Sequence, residues 1–299
     1  MTNDEKLLDQ AGVILGKQLN EYKSNYDASL LVPVDRFHNR FIYNIEEDNL
    51  PFCGYDTWNI YEISFLNNSG FPIAASGKLV YPANSKKFIE SKSLKLYFYS
   101  FNMEKMGNTI QEAITNFEEI VRKDISKAIG YDVSFNVLVD STEWEPYSTT
   151  FTPLSDLVDF NKITVSNFNE NPDILKVINN TPTSTAIQTN ILRSNCRVTH
   201  QPDWADIFIS YTADSELDLI SLTEYLVSFR NENHFHEEVV EMIFKRLYDK
   251  LKPKELTVFA IYTRRGGIDI CPVRSTNFTT INNRYLGDST KACIKTSRQ

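Results

Sequence analysis

What the chain lacks narrows its function before any motif is read. It has four cysteines in 299 residues, Cys53, Cys196, Cys271 and Cys293, and their wide, unequal spacings contain no C-x-x-C pair and no zinc-ribbon pattern. Cys196 and His200 stand four apart, a spacing that would put two metal ligands on one helix face. The polar stretch around them and Pro202 just beyond argue against a helix, and no second ligand pair is near, so no metal is expected. No Gly-x-Gly-x-x-Gly follows a strand-like segment, so a dinucleotide, if one is used, is not held in a Rossmann site. No apolar run approaches the ~18 residues of a membrane span. The opening "MTNDEKLLDQ" is charged where a secretory signal would be apolar, which points to the cytoplasm and to reduced thiols. Positive charge is not in excess either: the net charge of −8 argues against a general binder of nucleic-acid backbone, while leaving room for a small basic pocket.

What is present suits a soluble, well-packed protein. Apolar residues make up 41% of the chain and charged ones 23%, and the length accommodates two ordinary domains. Leu7, Leu8, Ala11, Ile14, Leu15 and Leu19 recur at helical spacing, predicting an N-terminal helix over 4–22. Strands are expected at 57–66 and 71–81, helices at 90–101 and 110–130 with Gly130 as the stop, and a strand at 131–140. The second half runs in the same order: strands at 187–195 and 205–213, helices at 218–229 and 236–251, strands at 255–263 and 266–275.

The repetition reaches individual residues. At an offset of 128, Ser93, Leu94, Tyr97, Ser100 and Phe101 fall on Ser221, Leu222, Tyr225, Ser228 and Phe229. Two related modules explain this best. The expected organisation is an N-terminal helix and extension to residue 50, a first module at 51–140, an irregular connection rich in Ser, Thr, Asn and Pro at 141–185, and a second module at 186–299. Strands in pairs around paired helices suggest antiparallel sheets with helices on one face, an α+β class.

Four groups of residues carry chemistry. In "SNCRVTHQPDW", Cys196 precedes by seven residues Asp203, which lies between Pro202 and Trp204. A thiol needs a base or a favourable field to act as a nucleophile, and a carboxyl desolvated by the indole would serve proton transfer. Read blandly, the pair is a buried thiol and a turn aspartate. "IESKS" offers Glu90, Ser91, Lys92 and Ser93 at a helix start, an ordinary capping arrangement by itself. In "NHFHEE", His234, His236, Glu237 and Glu238 open a helix whose dipole the acids would satisfy. "TRRGG" sets Arg264 and Arg265 beside Gly266 and Gly267, which is either a plain hairpin turn or a phosphate cradle.

Together and in order, "YDTWNIYEISFLNNSGFP", "IESKSLKLY", "SNCRVTHQPDW", "SFRNENHFHEE" and "RRGGIDICPVRS" resemble the NADPH-dependent 7-cyano-7-deazaguanine reductases, the nitrile reductases of queuosine biosynthesis, in their two-module form. The resemblance implies a tunnelling fold (T-fold) in each half, a four-stranded antiparallel sheet with two helices on one face. It implies a cytosolic homodimer that reduces a nitrile to an amine with two NADPH and no metal. It makes Cys196 the nucleophile that forms a thioimidate and Asp203 the proton carrier. Ile89, Glu90, Ser91, His236 and Glu237 would bind the deazapurine, and Ser91, Lys92, Arg265 and Gly266 the NADPH. The product would be the 7-aminomethyl base, a precursor in tRNA modification with no direct nucleic-acid partner implied. Two other classes compete: a zinc-dependent enzyme of the same fold acting on pterins, and a purine-binding or thiol-redox module without turnover.

Overall fold

The computed structural model describes residues 25–138, 144–145, 150–282 and 286–293; the helix expected at 4–22 lies outside them. In chain order the principal elements are β1 (Pro33–Asp35), α1 (Phe37–Ile42), β2 (Cys53–Leu66), β3 (Pro72–Pro82), β4 (Lys87–Ile89), α2 (Ser91–Tyr99), α3 (Ile110–Ile129) and β5 (Ser134–Leu138). They continue with β6 (Val177–Asn179), β7 (Thr183–Thr189), β8 (Arg193–Cys196), β9 (Pro202–Ala213), β10 (Glu216–Leu217), α4 (Leu219–Val227), β11 (Asn233–His234), α5 (His236–Leu251), β12 (Glu255–Tyr262) and β13 (Ile268–Ser275). The class is α+β, as the pairing of strands with strands and helices with helices indicated.

One sheet runs through both halves in the order β11-β8-β9-β12-β13-β2-β3-β5, and β13 joins the halves by pairing antiparallel with β2 from Ile268 opposite Ile60 to Ser275 opposite Cys53. β7 pairs with β9 on the same edge as β8. The single strand expected at 187–195 is therefore two pieces. Thr189 pairs with Ile207, but Arg193 pairs with Trp204, so the β7–β8 side carries one extra residue across the gap. That is a β-bulge, and it moves the inward positions from Ile187 to Leu192 and Ser194. Of the labelled strands in this sheet, six come from the second half, β7, β8, β9, β11, β12 and β13, and three from the first, β2, β3 and β5.

The helices lie on one face over two apolar clusters. Trp58, Leu79 and Tyr81 pack with Leu94, Phe98 and Phe117 in the first half; Ile207, Ile209 and Tyr211 pack with Leu222, Leu226 and Val240 in the second. On the opposite face a smaller cluster sets Phe208 parallel to Phe259 beneath Phe151, Ile281 and Leu286.

The repeat is exact at the backbone level around α2 and α4. Glu90 and Asp218 are their N-caps. Ser93 Oγ accepts from Val32 N at 3.1 Å and Ser221 Oγ from Lys176 N at 3.0 Å, while the Glu90 and Asp218 amides each donate to the carbonyl of that same Val32 or Lys176 at 2.9 Å. Ser100 and Ser228 each bond the tyrosine carbonyl three residues back at 2.7 Å. All five identities at the offset of 128 are thus buried structural groups. The correspondence also reaches into segments read as an extension and a connection. Asp27 and Asn171 both cap a 3-10 turn leading into β1 or β6, and β1 and β6 pair with β4 and β10.

A buried ionic cluster ties the parts together. Arg40 donates to both oxygens of Glu241 at 2.9 and 2.8 Å, and Arg274 bridges Glu241 at 2.9 Å and Asp56 at 2.8 Å. Arg36 completes it with a close ion pair to Asp56. The members come from the segment opening α1, from β2, from α5 and from β13.

Candidate active site

A cavity of about 570 Å³ opens where α2, the β8–β9 hairpin, the start of α5 and the β12–β13 turn converge. Every residue to which the resemblance gives a role lines it, whereas Ser93, Glu238, Arg264 and Gly267 of the same motifs do not. Ile89, Glu90, Ser91 and Lys92 do so from the start of α2, Cys196 and Asp203 from the hairpin, His236 and Glu237 from α5, and Arg265 and Gly266 from the β12–β13 turn. Neither Cys53 nor Cys271 is part of its wall.

The hairpin explains the spacing of seven between the thiol and the carboxylate. Ser194 on β8 sits opposite Asp203 on β9, so Cys196, two residues beyond Ser194, shares the face of Asp203 as a diagonal neighbour. The four-residue loop that allows this is closed by Cys196 N donating to Gln201 O at 2.8 Å and His200 N donating to Cys196 O at 2.9 Å. His200 adopts φ +55°, held there by its ring contact to Asn233 at 2.8 Å. Cys196 also stands in parallel register with His234.

Asp203 is not the turn residue that its proline suggested. β9 begins at Pro202, and strand alternation sends Trp204 to the opposite face, where it is 38% exposed beneath Arg230. The indole therefore does not desolvate the carboxylate. Its partners are charged or titratable: Arg265 Nη1 at 2.9 Å from Oδ1 and His236 Nε2 at 3.3 Å from Oδ2. The His236 ring is stacked on Tyr262 with centroids 3.8 Å apart, which fixes its orientation.

Glu90 satisfies both readings of its motif. Its carboxylate caps α2, accepting from Lys92 N at 3.0 Å and Ser93 N at 2.7 Å, yet it remains on the cavity wall. Oε1 also accepts from Ser91 Oγ at 3.3 Å, so capping leaves Oε2 a second acceptor position and locks the group in place. Glu237, in the first turn of α5, is buried, and its Oε1 has no hydrogen-bond partner among the described residues. Burial pushes its carboxyl up to about 8, with Asp56 adding to the rise and Arg36 opposing it. Beside it, Glu238 closes a capping interaction by accepting from Phe235 N at 3.0 Å and pairs with Arg197 at 3.0 Å. Burial opposes the charge on His234, but its contacts with the carboxylates of Glu232 at 3.2 Å and Glu238 at 3.4 Å prevail and raise it to about 9.

At the mouth, Gly266 and Gly267 take φ +54° and +76° in the two-residue turn closed by reciprocal bonds between Arg265 and Ile268 at 2.9 and 3.1 Å. Lys95 presses against this turn: a Cβ on Gly266 would come within 2.4 Å of its Nζ. With Lys92 and Arg265 it gives the mouth three cations in an acidic chain, a set suited to phosphate groups. Lys95 was not singled out from the sequence, although its helical spacing from Lys92 would have placed it on the same face. Asp269, on the cavity wall and hydrogen-bonded by Asn59 at 2.6 Å and by Tyr61, was also missed, because a strand aspartate carries no motif. Among the described residues no group of three histidine, cysteine or acidic side chains is arranged to hold a metal ion.

Comparison with known proteins bears on the same segments. Residues 22–137 match the family profile described as "Nitrile reductase, 7-cyano-7-deazaguanine-reductase N-term", and residues 202–280 match "QueF-like protein". The chain is 40% identical over 266 residues to the NADPH-dependent 7-cyano-7-deazaguanine reductase of Coxiella burnetii, covering 88% of this chain and 92% of that one. The enzyme of the same name from Rickettsia prowazekii is 38% identical over 275 residues, covering 91% and 97%. A solved archaeosine synthase described as QueF-Like aligns with a TM-score of only 0.30 and 16% identity over 32% of this chain, too slight a likeness to bear on the fold. By the extent of its likeness to these reductases, the chain belongs to the NADPH-dependent 7-cyano-7-deazaguanine reductase family.

Proposed function

We propose that this protein reduces 7-cyano-7-deazaguanine to 7-aminomethyl-7-deazaguanine in the cytoplasm, through a covalent adduct on Cys196 and with two NADPH consumed. The observation that carries the reading is the convergence, around one cavity with a cationic mouth, of a thiol, a charged-partnered carboxylate and a buried carboxyl with an oxygen unpartnered among the described residues. Ile89 and Ser91 frame the base, while Glu90, His236 and Glu237 receive or supply its polar edges. Ser91, Lys92, Arg265 and Gly266 meet the cofactor. In this reading the two halves are T-fold modules at 51–140 and 186–299, linked by 141–185, and the working unit is a homodimer.

The chain's residues divide the work as follows. Cys196 Sγ adds to the nitrile carbon, and its proton passes through Asp203 to the nitrile nitrogen, giving a thioimidate. NADPH, as co-substrate, supplies hydride. Once the former nitrile carbon has gained one hydride, the C–S bond breaks, the thiolate leaves with its electron pair, and an imine remains for the second hydride. Each reduction also takes one proton, which Asp203 relays from solvent, so nitrile, two hydrides and two protons give the amine. Sulfur serves both as attacking and as leaving group, which a hydroxyl does poorly. His236 holds the second Asp203 oxygen and keeps the relay aligned.

The test is direct. Added 7-cyano-7-deazaguanine should deplete NADPH at two equivalents per nitrile, and intact-mass analysis without NADPH should show an adduct in the parent that Cys196→Ala lacks. One equivalent consumed, or an adduct that persists in the alanine variant, would overturn the mechanism.

A further inference from the structure

Arg265 is placed to serve two anions, only one of which belongs to this chain. We infer that Arg265 is a shared counter-ion, held by Asp203 in the free enzyme and surrendered to a cofactor phosphate on binding, so that cofactor occupancy and the proton carrier are coupled through one guanidinium. The inference rests on the cofactor reading above.

The geometry favours a hand-over. Arg265 is 47% exposed at the mouth, whereas Asp203 is 5% exposed in the wall, so the guanidinium faces solvent on one side and the buried carboxylate on the other. Its second nitrogen rests on the Pro202 carbonyl, a neutral acceptor that offers little hold against an anion. The backbone beneath it is pinned by the paired bonds to Ile268, so the exchange requires only side-chain rotation. Lys92 and Lys95 already gather at the same mouth. An ion pair with one half-exposed partner is weak, while a phosphate can take the guanidinium fork in a bidentate grip.

Asp203 keeps its place when the guanidinium leaves, because His236 holds the other oxygen from α5 and is itself stacked on Tyr262 from β12. The groups that then face the carboxylate are His236, Tyr262, Cys196 and, beyond the tyrosine, Glu237. Coupling of this kind is reciprocal: whatever removes Asp203's claim on Arg265 must strengthen the cofactor's.

The experiment is calorimetric titration of the full-length enzyme with NADP⁺, without nitrile, for the parent, Asp203→Asn, Arg265→Gln and the double variant. Asp203→Asn should tighten NADP⁺ by about two- to fivefold, the range of a partly exposed ion pair. Arg265→Gln should weaken it, and in that background Asp203→Asn should change nothing. Asp203→Ser provides a second neutral variant should the amide disturb folding. An unchanged or weaker affinity in both neutral variants overturns the inference. So does equal tightening with and without Arg265, which would mark simple removal of negative charge. A parent that binds no NADP⁺ would sink the cofactor reading and this inference with it, an outcome distinct from either.

Discussion

At the scale of single residues, Glu237 makes the sharpest claim. Its carboxyl is pushed by burial from an ordinary value to about 8, so between roughly pH 4.5 and 8 the folded protein holds a proton there that the unfolded chain does not. Stability should therefore fall as pH rises across that window, and Glu237→Gln should remove this part of the dependence. Chemical denaturation of both proteins from pH 5 to 9 measures it; parallel curves would refute the assignment. The ionised form is the better acceptor for purine N–H groups, so nitrile affinity in a Cys196→Ala background should climb as pH approaches 8 and stay flat in the glutamine variant. Read from its own motif, Glu237 was an acid in a first helical turn, and its base-binding role came from the family resemblance alone. What raises it, Asp56 on β2 and the burial around it, lies 181 positions away in the chain and left no local signal.

Among the elements, α2 and α4 form an internal control. They share caps, backbone bonds and buried identities, but Glu90 reaches the cavity and Asp218 does not line it. Removing either cap should cost about 1 kcal/mol of stability. Glu90→Ala should in addition weaken nitrile binding about tenfold or more, since donors left unpaired in a buried site cost ~1–3 kcal/mol, while Asp218→Ala should leave it unchanged. Titration in the Cys196→Ala background separates the two effects, and equal affinities would remove Glu90 from the site. At the other wall, Gly266→Ala forces a side chain into φ +54° and against Lys95. About 1–2 kcal/mol of stability should be lost together with part of the NADP⁺ affinity, as read by urea unfolding and titration. These elements were readable because capping residues, periodicity and paired glycines act locally. The start of β9 was misread because Pro202 signals a turn, whereas a strand's first residue tolerates proline equally well.

At the scale of the molecule, the buried cluster of Arg36, Arg40 and Arg274 with Asp56 and Glu241 joins four segments distant in sequence. Arg40 and Arg274 overcome the effect of burial on Glu241 and hold it down to about 2, so it stays charged throughout the working range. Arg274→Met would leave two buried carboxylates short of a partner and should destabilise the protein by about 3–5 kcal/mol, measured by equilibrium unfolding; a loss below about 1 kcal/mol would mean the cluster is dispensable. A sequence cannot announce such a cluster, because a buried arginine is written with the same letter as a solvated one. The repeated element order was visible, but the continuous sheet that joins the halves through β13 and β2 was not.

The bulge between β7 and β8 turns reactivity into a question of odd and even. A strand alternates sides with every residue, so without the bulge the one residue inserted between Thr189 and Arg193 would change which side of the sheet receives the sulfur. Deleting the exposed Asn190 would give an unbroken ladder in which Arg193 still faces Trp204 and Ser194 still faces Asp203, so Cys196 would keep its side of the sheet. Cys196 should then remain a free thiol open to alkylation by iodoacetamide and should still form an adduct with the nitrile; loss of the adduct alone would mean that the bulge does more than absorb a residue. Mass spectrometry with both reagents reads the two outcomes in one sample. The side on which the Cys196 sulfur falls is thus kept by the pairing of β8 with β9, and the bulge absorbs the residue that would otherwise reverse it.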